Sequence, residues 1–423
     1  MSEVVIVGAG PGGLTLGCYL ADAGVPCVIL EKAQHPRPHV GESLMPATIR
    51  IFKEIGFLPV MEAADFPRSR GVVYHPRNRE SIPIAYGEFP EEGIEQDYTY
   101  HVDRSKFDLL LLKHAENLGC HLVQGANVRD VAFDEETAIG VHADVAGQDV
   151  FFPARVVVDA AGRTTKIGRQ LGLRRDHPVL DQFALHAWFL DVDRGKRSWE
   201  DYTHIFFLPE LRGWAWQAPI NSDITSIGLV ADRKIYGTYQ EADIGIQEFF
   251  EESLEKNKAL AKATRNAVRI NELKGETNYS YQLERVCGDG WVAIGDAARF
   301  TDPIFSSGVS VAMHNARFVA ERIQTAVESG QYGRDTFLPF EDRLRADAAI
   351  WDDFIRLFYR LLPSFTHVVE SPEHRHSVLR LIQGEVHASS DARVLEEMRK
   401  LVRSVEAADD HVLKDELMDF PPT

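Results

Sequence analysis

Four consecutive apolar residues, Val4 to Val7, run straight into Gly8, Gly10, Gly12 and Gly13. An uninterrupted apolar run that ends in glycines predicts a short strand over 3–8, buried on both faces. A helix follows to about Ala23, with Leu14, Leu16, Tyr19 and Leu20 on its apolar side, and Gly24 ends it. VPCVILE reads as a second strand, which completes a βαβ start of about thirty residues. Further along, Phe107 to Leu118 reads as a helix, and His121 to Asp130 and Phe151 to Val158 as strands of the same layer. From about residue 176 the texture changes. FALHAWFLDV, YTHIFFLP, GWAWQAPI and ITSIGLVAD alternate and carry aromatics, which predicts an antiparallel sheet able to wall a pocket. Helix returns over 245–265. WVAIGDAA is a buried strand running into a turn, 309–330 is a long helix, and the remainder is helical, with an amphipathic pattern in WDDFIRLFYRLL. The expected class is α/β. A nucleotide-binding part is formed by 1–175 and closed by 276–330, an antiparallel-sheet substrate region occupies 176–275, and a helical region fills 331–423.

The first chemistry lies in the glycines. Gly8, Gly10, Pro11, Gly12 and Gly13 let the backbone turn tightly against a pyrophosphate, and the helix that follows offers its N-terminal amides. Glu31, beside Lys32 at the end of the second strand, places a carboxylate where it can accept ribose hydroxyls. Strand, glycine turn, helix and acid together predict a dinucleotide site of Rossmann type. They leave NAD and FAD open. Ala293-Ile294-Gly295-Asp296-Ala297-Ala298, far downstream, resembles the GDA element of the FAD-dependent monooxygenase superfamily of p-hydroxybenzoate hydroxylase type. The resemblance implies a glutathione-reductase-like FAD-binding fold with Asp296 on a ribityl hydroxyl. It also implies Arg104 near the diphosphate, the Val128 backbone near adenine, and a turn at Asp159-Ala160-Ala161-Gly162-Arg163.

Three more segments resemble the flavin-dependent halogenase branch, in the same order and over roughly residues 1–350. They are Gly41-Glu42-Ser43-Leu44-Met45-Pro46-Ala47-Thr48, Trp214-Ala215-Trp216-Gln217-Ala218-Pro219, and Asp302-Pro303-Ile304-Phe305-Ser306-Ser307-Gly308-Val309. The last resembles the branch acting on phenolic, pyrrolic or carrier-tethered substrates, and implies an anion-accepting turn of backbone amides beside the flavin. Trp214 and Trp216, two apart on a strand, point to one face. One part of the pattern departs from the family. Halogenases carry a lysine in a segment like F-P-x-K-x-G, which passes hypohalous acid to the substrate. Here the segment is Phe66-Pro67-Arg68-Ser69-Arg70-Gly71, with Ser69 at the lysine position. A hydroxyl cannot form a haloamine, and arginine is a poor substitute. The expectation is therefore an FAD-dependent monooxygenase or oxidase. It would use O2 and reduced flavin on an electron-rich aromatic or carrier-bound intermediate, with NAD(P)H acting directly or through a separate flavin reductase. Two alternatives are a halogenase with another catalytic residue and an FAD-dependent dehydrogenase or double-bond reductase.

Acid–base candidates are His75, with Tyr74 beside it, His101, His204 and Glu42; Glu42 is expected to orient the flavin loop. Cys18, Cys27, Cys120 and Cys287 form no ligand pattern and read as reduced thiols. His374-Arg375-His376 is too sparse for a metal site. A formal net charge of −18 argues against nucleic acid as a partner. Arginines cluster locally over Arg68 to Arg79 and Arg163 to Arg175, where an acidic carrier protein would dock. No apolar run reaches the ~20 residues of a membrane span, and no leader pattern opens the chain, so a cytoplasmic location is expected. Phe354, Leu357, Phe358, Leu361 and Leu362 are candidates for a lid over the pocket or for packing on the main body.

Overall fold

Val4–Val7 occupies the middle of a six-stranded sheet, paired in parallel with Val156–Asp159 on one side and Cys27–Glu31 on the other. His121–Gln124 extends one edge in parallel, Trp291–Ala293 extends the other, and short Cys287–Gly288 finishes it antiparallel. The computed structural model describes residues 3–77, 79–89, 97–384, 392–408, 410–411, 413–414 and 417–418. Pro11–Asp22 is the helix that leaves the glycine turn, and it packs on the long helix Ser307–Ser329. A three-stranded meander, Ala126–Asp134, Thr137–Val145 and Gln148–Pro153, packs against Cys27–Glu31 and Val156–Asp159. With cover on both faces, the central strands are buried throughout, and apolar up to Asp159, rather than alternating.

Three expected elements are each two. The strand over 121–130 breaks at Gly125, whose φ of +76° turns the chain out of the parallel sheet into the meander. The strand over 151–158 breaks after Pro153, which cannot donate to a ladder; the chain then crosses from the meander to the central sheet. The helix over 245–265 is Ile246–Leu254 followed by Lys258–Thr264. The side chain of Asn257 caps the second by accepting from the amides of Ala259 and Leu260 at 3.0 and 3.4 Å.

The second large sheet runs Val268–Arg269, Gln182–Leu190, Thr225–Asp232, Gly213–Pro219, Thr203–Leu208, Gly71–His75, Ile82–Ala85, with Lys274–Glu276 also on Gln182–Leu190. Its last two strands come from within 1–175, and Thr203–Leu208 pairs with Gly71–His75 in parallel. Alternation sorts its two faces. Phe183, Leu185, Ala187 and Phe189 pack with Phe249 and Phe250 of the helix behind the sheet. Ala184, His186 and Trp188 face the other way, toward the nucleotide-binding part.

The helix Arg334–Arg360 closes the structure. Phe354 stacks on Phe305 with ring centroids 4.2 Å apart, and Phe358, Leu361 and Leu362 share a core with Tyr74 and Trp214. The five apolar residues considered as a lid are thus buried in packing against the main body. Part of 331–423 lies outside the described residues. All four cysteines are buried and free. Among the described residues no helix is long and apolar enough to cross a membrane, and no group of His, Cys, Asp and Glu could hold a metal.

Candidate active site

One cavity of about 710 Å³ runs from the glycine turn to the aromatic face of the second sheet. At its first end lie Gly8, Gly10, Pro11 and Gly12, with Glu31, Lys32 and Val128. Gly8 has φ +109°, and a Cβ there would sit 2.5 Å from the Ala160 carbonyl oxygen. Gly13 does not line the cavity; a Cβ on it would meet the Gly8 carbonyl at 2.0 Å, so its part is to let the turn close. No side chain caps the helix that begins at Pro11. The Glu31 carboxylate accepts from the amides of Ala9 at 2.9 Å and Ala33 at 3.0 Å, which fixes its direction. Arg37, which the sequence reading passed over, lies beside it, with a buried Nε that makes no hydrogen bond.

In the middle stretch Arg104 forms a bidentate pair with Asp108 at 2.9 and 3.0 Å and donates to the Val40 carbonyl at 2.9 Å. The guanidinium is thereby held against the loop Gly41, Glu42, Ser43, all three of which line the cavity. Asp296 enters from the turn after Trp291–Ala293. Burial pushes its carboxyl up to about 6, against the pull of Arg163, Arg104 and Arg299. Asp159 stays out of the cavity and anchors the neighbouring turn, accepting from Ala161 N at 3.1 Å and Ile167 N at 2.8 Å. Pro303, Ser306, Gly308 and Val309 also line the cavity, whereas Ser307 does not. Ser306 adopts a left-handed φ of +54°, which brings the start of the helix Ser307–Ser329 to the cavity edge.

The far wall is aromatic. Trp214 and Trp216 both line it, 5.8 Å apart, together with Trp188, His186, Thr203, Ile205 and Tyr279. Trp188, His186 and Tyr279 were not singled out from sequence. The signal was present in the period-two alternation of FALHAWFL, which puts Ala184, His186 and Trp188 on the face of the two known tryptophans.

Three catalytic candidates lie elsewhere. Ser69 pairs with Thr99 in a two-stranded ribbon; it is buried, and its hydroxyl donates to the Gly71 carbonyl at 3.3 Å rather than lining the cavity. Tyr74 is buried between Phe207 and Phe365. His75 is on the opposite face of the sheet, because its cross-strand partner is Phe206 while the cavity-lining Ile205 pairs with Tyr74. There it bonds His204, Nε2 to Nδ1 at 2.9 Å, and Ser81 at 2.7 Å. Burial holds His75 at about 3 and His204 at about 4, so both are neutral. His101 is likewise buried and held at about 4, bonded to the Asp201 carbonyl at 3.0 Å. The arginine clusters are engaged with the protein's own groups: Arg70 with Asp97, Arg77 with Glu210, Arg163 with Glu276, Arg175 with Glu284, and Arg68 over the Tyr98 ring.

The profile of the FAD binding domain family matches residues 1–348. The 1H-pyrrole-2-carbonyl-[peptidyl-carrier protein] chlorinase of Pseudomonas fluorescens is 40% identical over 99% of the chain and 97% of that enzyme. The chain belongs to the halogenase-like branch of the FAD-dependent monooxygenase superfamily. A second halogenase relative, the 1H-pyrrole-2-carbonyl-[peptidyl-carrier protein] brominase of Pseudoalteromonas luteoviolacea, is 31% identical over 90% of the chain and 91% of that enzyme. Among solved structures, the flavin-dependent brominase Bmp2 superposes with a TM-score of 0.86 at 29% identity, covering 96% of this chain and 99% of that one. The cofactor of this halogenase-like branch is FAD, and the cavity fits it. Gly8, Gly10 and Gly12 bring bare backbone to the cavity edge, the buried Arg37 Nε makes no hydrogen bond and could donate to an anionic diphosphate, and Glu31 is preset for hydroxyl donors.

Proposed function

We propose that this enzyme halogenates the pyrrole ring of a pyrrole-2-carbonyl group carried on a peptidyl carrier protein. The observation that carries the reading is the 40% identity to the chlorinase, which extends over 99% of the chain rather than over the nucleotide-binding part alone. When bound, reduced FAD with O2 and halide supplies the electrophilic halogen. The protein's own residues do the rest. Gly8 to Gly12 and Arg37 hold the diphosphate end, Glu31 the ribose, and Asp296 the ribityl chain. The indoles of Trp188, Trp214 and Trp216 give an aromatic wall against which a heteroaromatic ring can lie. A flavin reductase using NAD(P)H is the natural source of reduced cofactor, and the setting is cytoplasmic.

A second reading, a monooxygenase or oxidase acting on the same tethered ring, is favoured by Ser69. That residue, at the position the sequence resemblance aligns with the family's lysine, carries no ammonium; it is buried with its hydroxyl turned to the Gly71 carbonyl. One assay separates the readings: protein, FAD, a flavin reductase with NAD(P)H, O2 and pyrrole-2-carbonyl carrier protein, with chloride or bromide in excess. The first reading expects halogen in place of a ring hydrogen by mass spectrometry. Oxygen insertion at saturating halide would transfer the assignment to the second.

A further inference from the structure

A pyrrole-2-carbonyl group carries two polar atoms side by side, a ring N–H that donates and a carbonyl oxygen that accepts. Indole faces alone would pair with neither, and the orientation of the ring decides which carbon meets the electrophile. Most polar atoms of the aromatic wall are taken. The Trp188 indole donates to Glu42 at 3.1 Å, Trp214 to the Tyr359 hydroxyl at 3.0 Å and Trp216 to Ser226 at 3.2 Å, and the Thr203 hydroxyl bonds that of Ser43 at 2.9 Å. Two buried atoms on this wall make no hydrogen bond within the protein: Nε2 of His186 and the hydroxyl of Tyr279. His186 is 6% exposed and Tyr279 only 3%.

The two belong to one corner of the wall. His186 is opposite Lys274 where Gln182–Leu190 pairs with Lys274–Glu276, and Tyr279 follows the end of that short strand by three residues. Both feel the charge of Glu276. Their rings are held in place. His186 is tilted against Trp216 with centroids 6.1 Å apart, and Tyr279 meets Phe300 edge-on at 5.6 Å, with the Arg163 guanidinium 5.9 Å from its centroid. Burial lowers the proton affinity of the imidazole and raises that of the phenol, so at neutral pH His186 is uncharged and Tyr279 keeps its proton. Of the two, the imidazole nitrogen is the better acceptor and the phenol hydroxyl the better donor.

We infer that His186 and Tyr279 select and orient the acyl group: Nε2 of His186 accepts from the pyrrole N–H, and the Tyr279 hydroxyl donates to the neighbouring carbonyl oxygen. The inference rests on the proposed reading of a carrier-bound pyrrole-2-carbonyl group as substrate. Two hydrogen bonds to adjacent polar atoms stop the ring from turning in its own plane against the indoles, and so fix which ring carbons are presented for attack. The role is the same whether halogen or oxygen is transferred. The pair also rejects relatives of the ring. A furan-2-carbonyl group has nearly the same shape and the same carbonyl, but its ring oxygen would turn a lone pair toward the lone pair on Nε2 and leave that buried nitrogen unpaired.

The test compares the binding of pyrrole-2-carbonyl and furan-2-carbonyl forms of one carrier protein to the FAD-loaded enzyme, without reductant, so that the carrier's own contribution cancels in the ratio. Wild type is expected to bind the pyrrole form about tenfold more tightly. His186→Phe should bring the two forms level by weakening the pyrrole form, and His186→Gln, which keeps an acceptor, should restore part of the preference. Tyr279→Phe should weaken both forms about tenfold and leave their ratio as in wild type, because both carry the carbonyl. The FAD Kd should be unchanged in all three variants. Equal binding of the two forms by wild type, a preference that survives His186→Phe, a Tyr279→Phe variant that weakens neither form, or a matching loss of FAD affinity overturns the assignment and leaves the substrate reading intact. If wild type binds neither acylated form more tightly than the carrier without its acyl group, both fall.

Discussion

At the scale of single residues, the clearest test of the cofactor site is Glu31. Its carboxylate accepts from two backbone amides, so it is aimed before any ligand arrives. Removing the charge while keeping the shape weakens the hydrogen bonds it offers to ribose hydroxyls and turns an amide donor toward one of those N–H groups. Glu31→Gln is expected to lower FAD affinity about tenfold, equivalent to about 1.4 kcal/mol, in a flavin fluorescence titration; an unchanged Kd would remove Glu31 from the ribose. Residues whose role follows from local geometry were legible in the sequence: the glycines, because a tight turn next to a helix start needs them, and Trp214 with Trp216, because a strand sends alternate residues to one face. Arg37 was not: it lies beside Glu31 with no motif to announce it. Trp188 was missed although the alternation of FALHAWFL carries its signal.

At the scale of elements, the helix Arg334–Arg360 is tied to the cavity wall by one buried chain. The Trp214 indole donates to the Tyr359 hydroxyl at 3.0 Å, and that hydroxyl donates to Asp302 at 2.9 Å. Tyr359→Phe removes the hydroxyl that links a buried indole N–H to a buried carboxylate, at a cost of about 1–3 kcal/mol. The expected result is a lower urea midpoint with the FAD Kd unchanged; a change within about 0.5 kcal/mol would mean that the chain carries no load. The same scale shows why the second sheet was only half visible. The strands after residue 176 alternate cleanly and were read as a sheet. Gly71–His75 and Ile82–Ala85 belong to it as well, but each is only four or five residues long, and the first pairs in parallel with a strand more than a hundred residues later. Register of that kind is set by tertiary pairing, which a local pattern does not encode. His75 ended up behind the sheet for the same reason: one residue of register decides the face.

At the scale of the whole molecule, the net charge is −18, and Arg70, Arg163 and Arg175 of the two arginine clusters pair with the protein's own Asp97, Glu276 and Glu284, so the proposed acidic carrier would meet a predominantly acidic chain. Long-range repulsion between two acidic partners is screened by salt. The KM for the carrier protein is therefore expected to fall as ionic strength rises from very low values toward physiological ones, and a KM that rises instead would reveal a basic docking face.

Buried titratable groups set the pH response of the fold, and they pull in opposite directions. His75, at about 3, and His204 and His101, at about 4, lie below the ordinary histidine value of 6.5. Between those limits the unfolded chain binds more protons, so each loses stability for the fold as pH falls from about 6.5, by about 2 kcal/mol by pH 5. Asp302, pushed up by burial to about 7, and Asp296 and Asp159, at about 6, lie above the ordinary 3.8. For these the native state binds more protons, so the fold gains stability as pH falls toward 4 and loses it as pH rises toward 7. The two sets offset each other in the wild type, and the way to expose one is to remove a member of the other. In Asp302→Asn the gain on acidification from the most shifted carboxyl is gone. Between pH 8 and pH 5 this variant is expected to lose about 2–3 kcal/mol more stability than wild type does, read from urea unfolding at the two pH values with FAD saturating. Parallel pH profiles for variant and wild type would mean that Asp302 is ionised alike in the folded and unfolded chains.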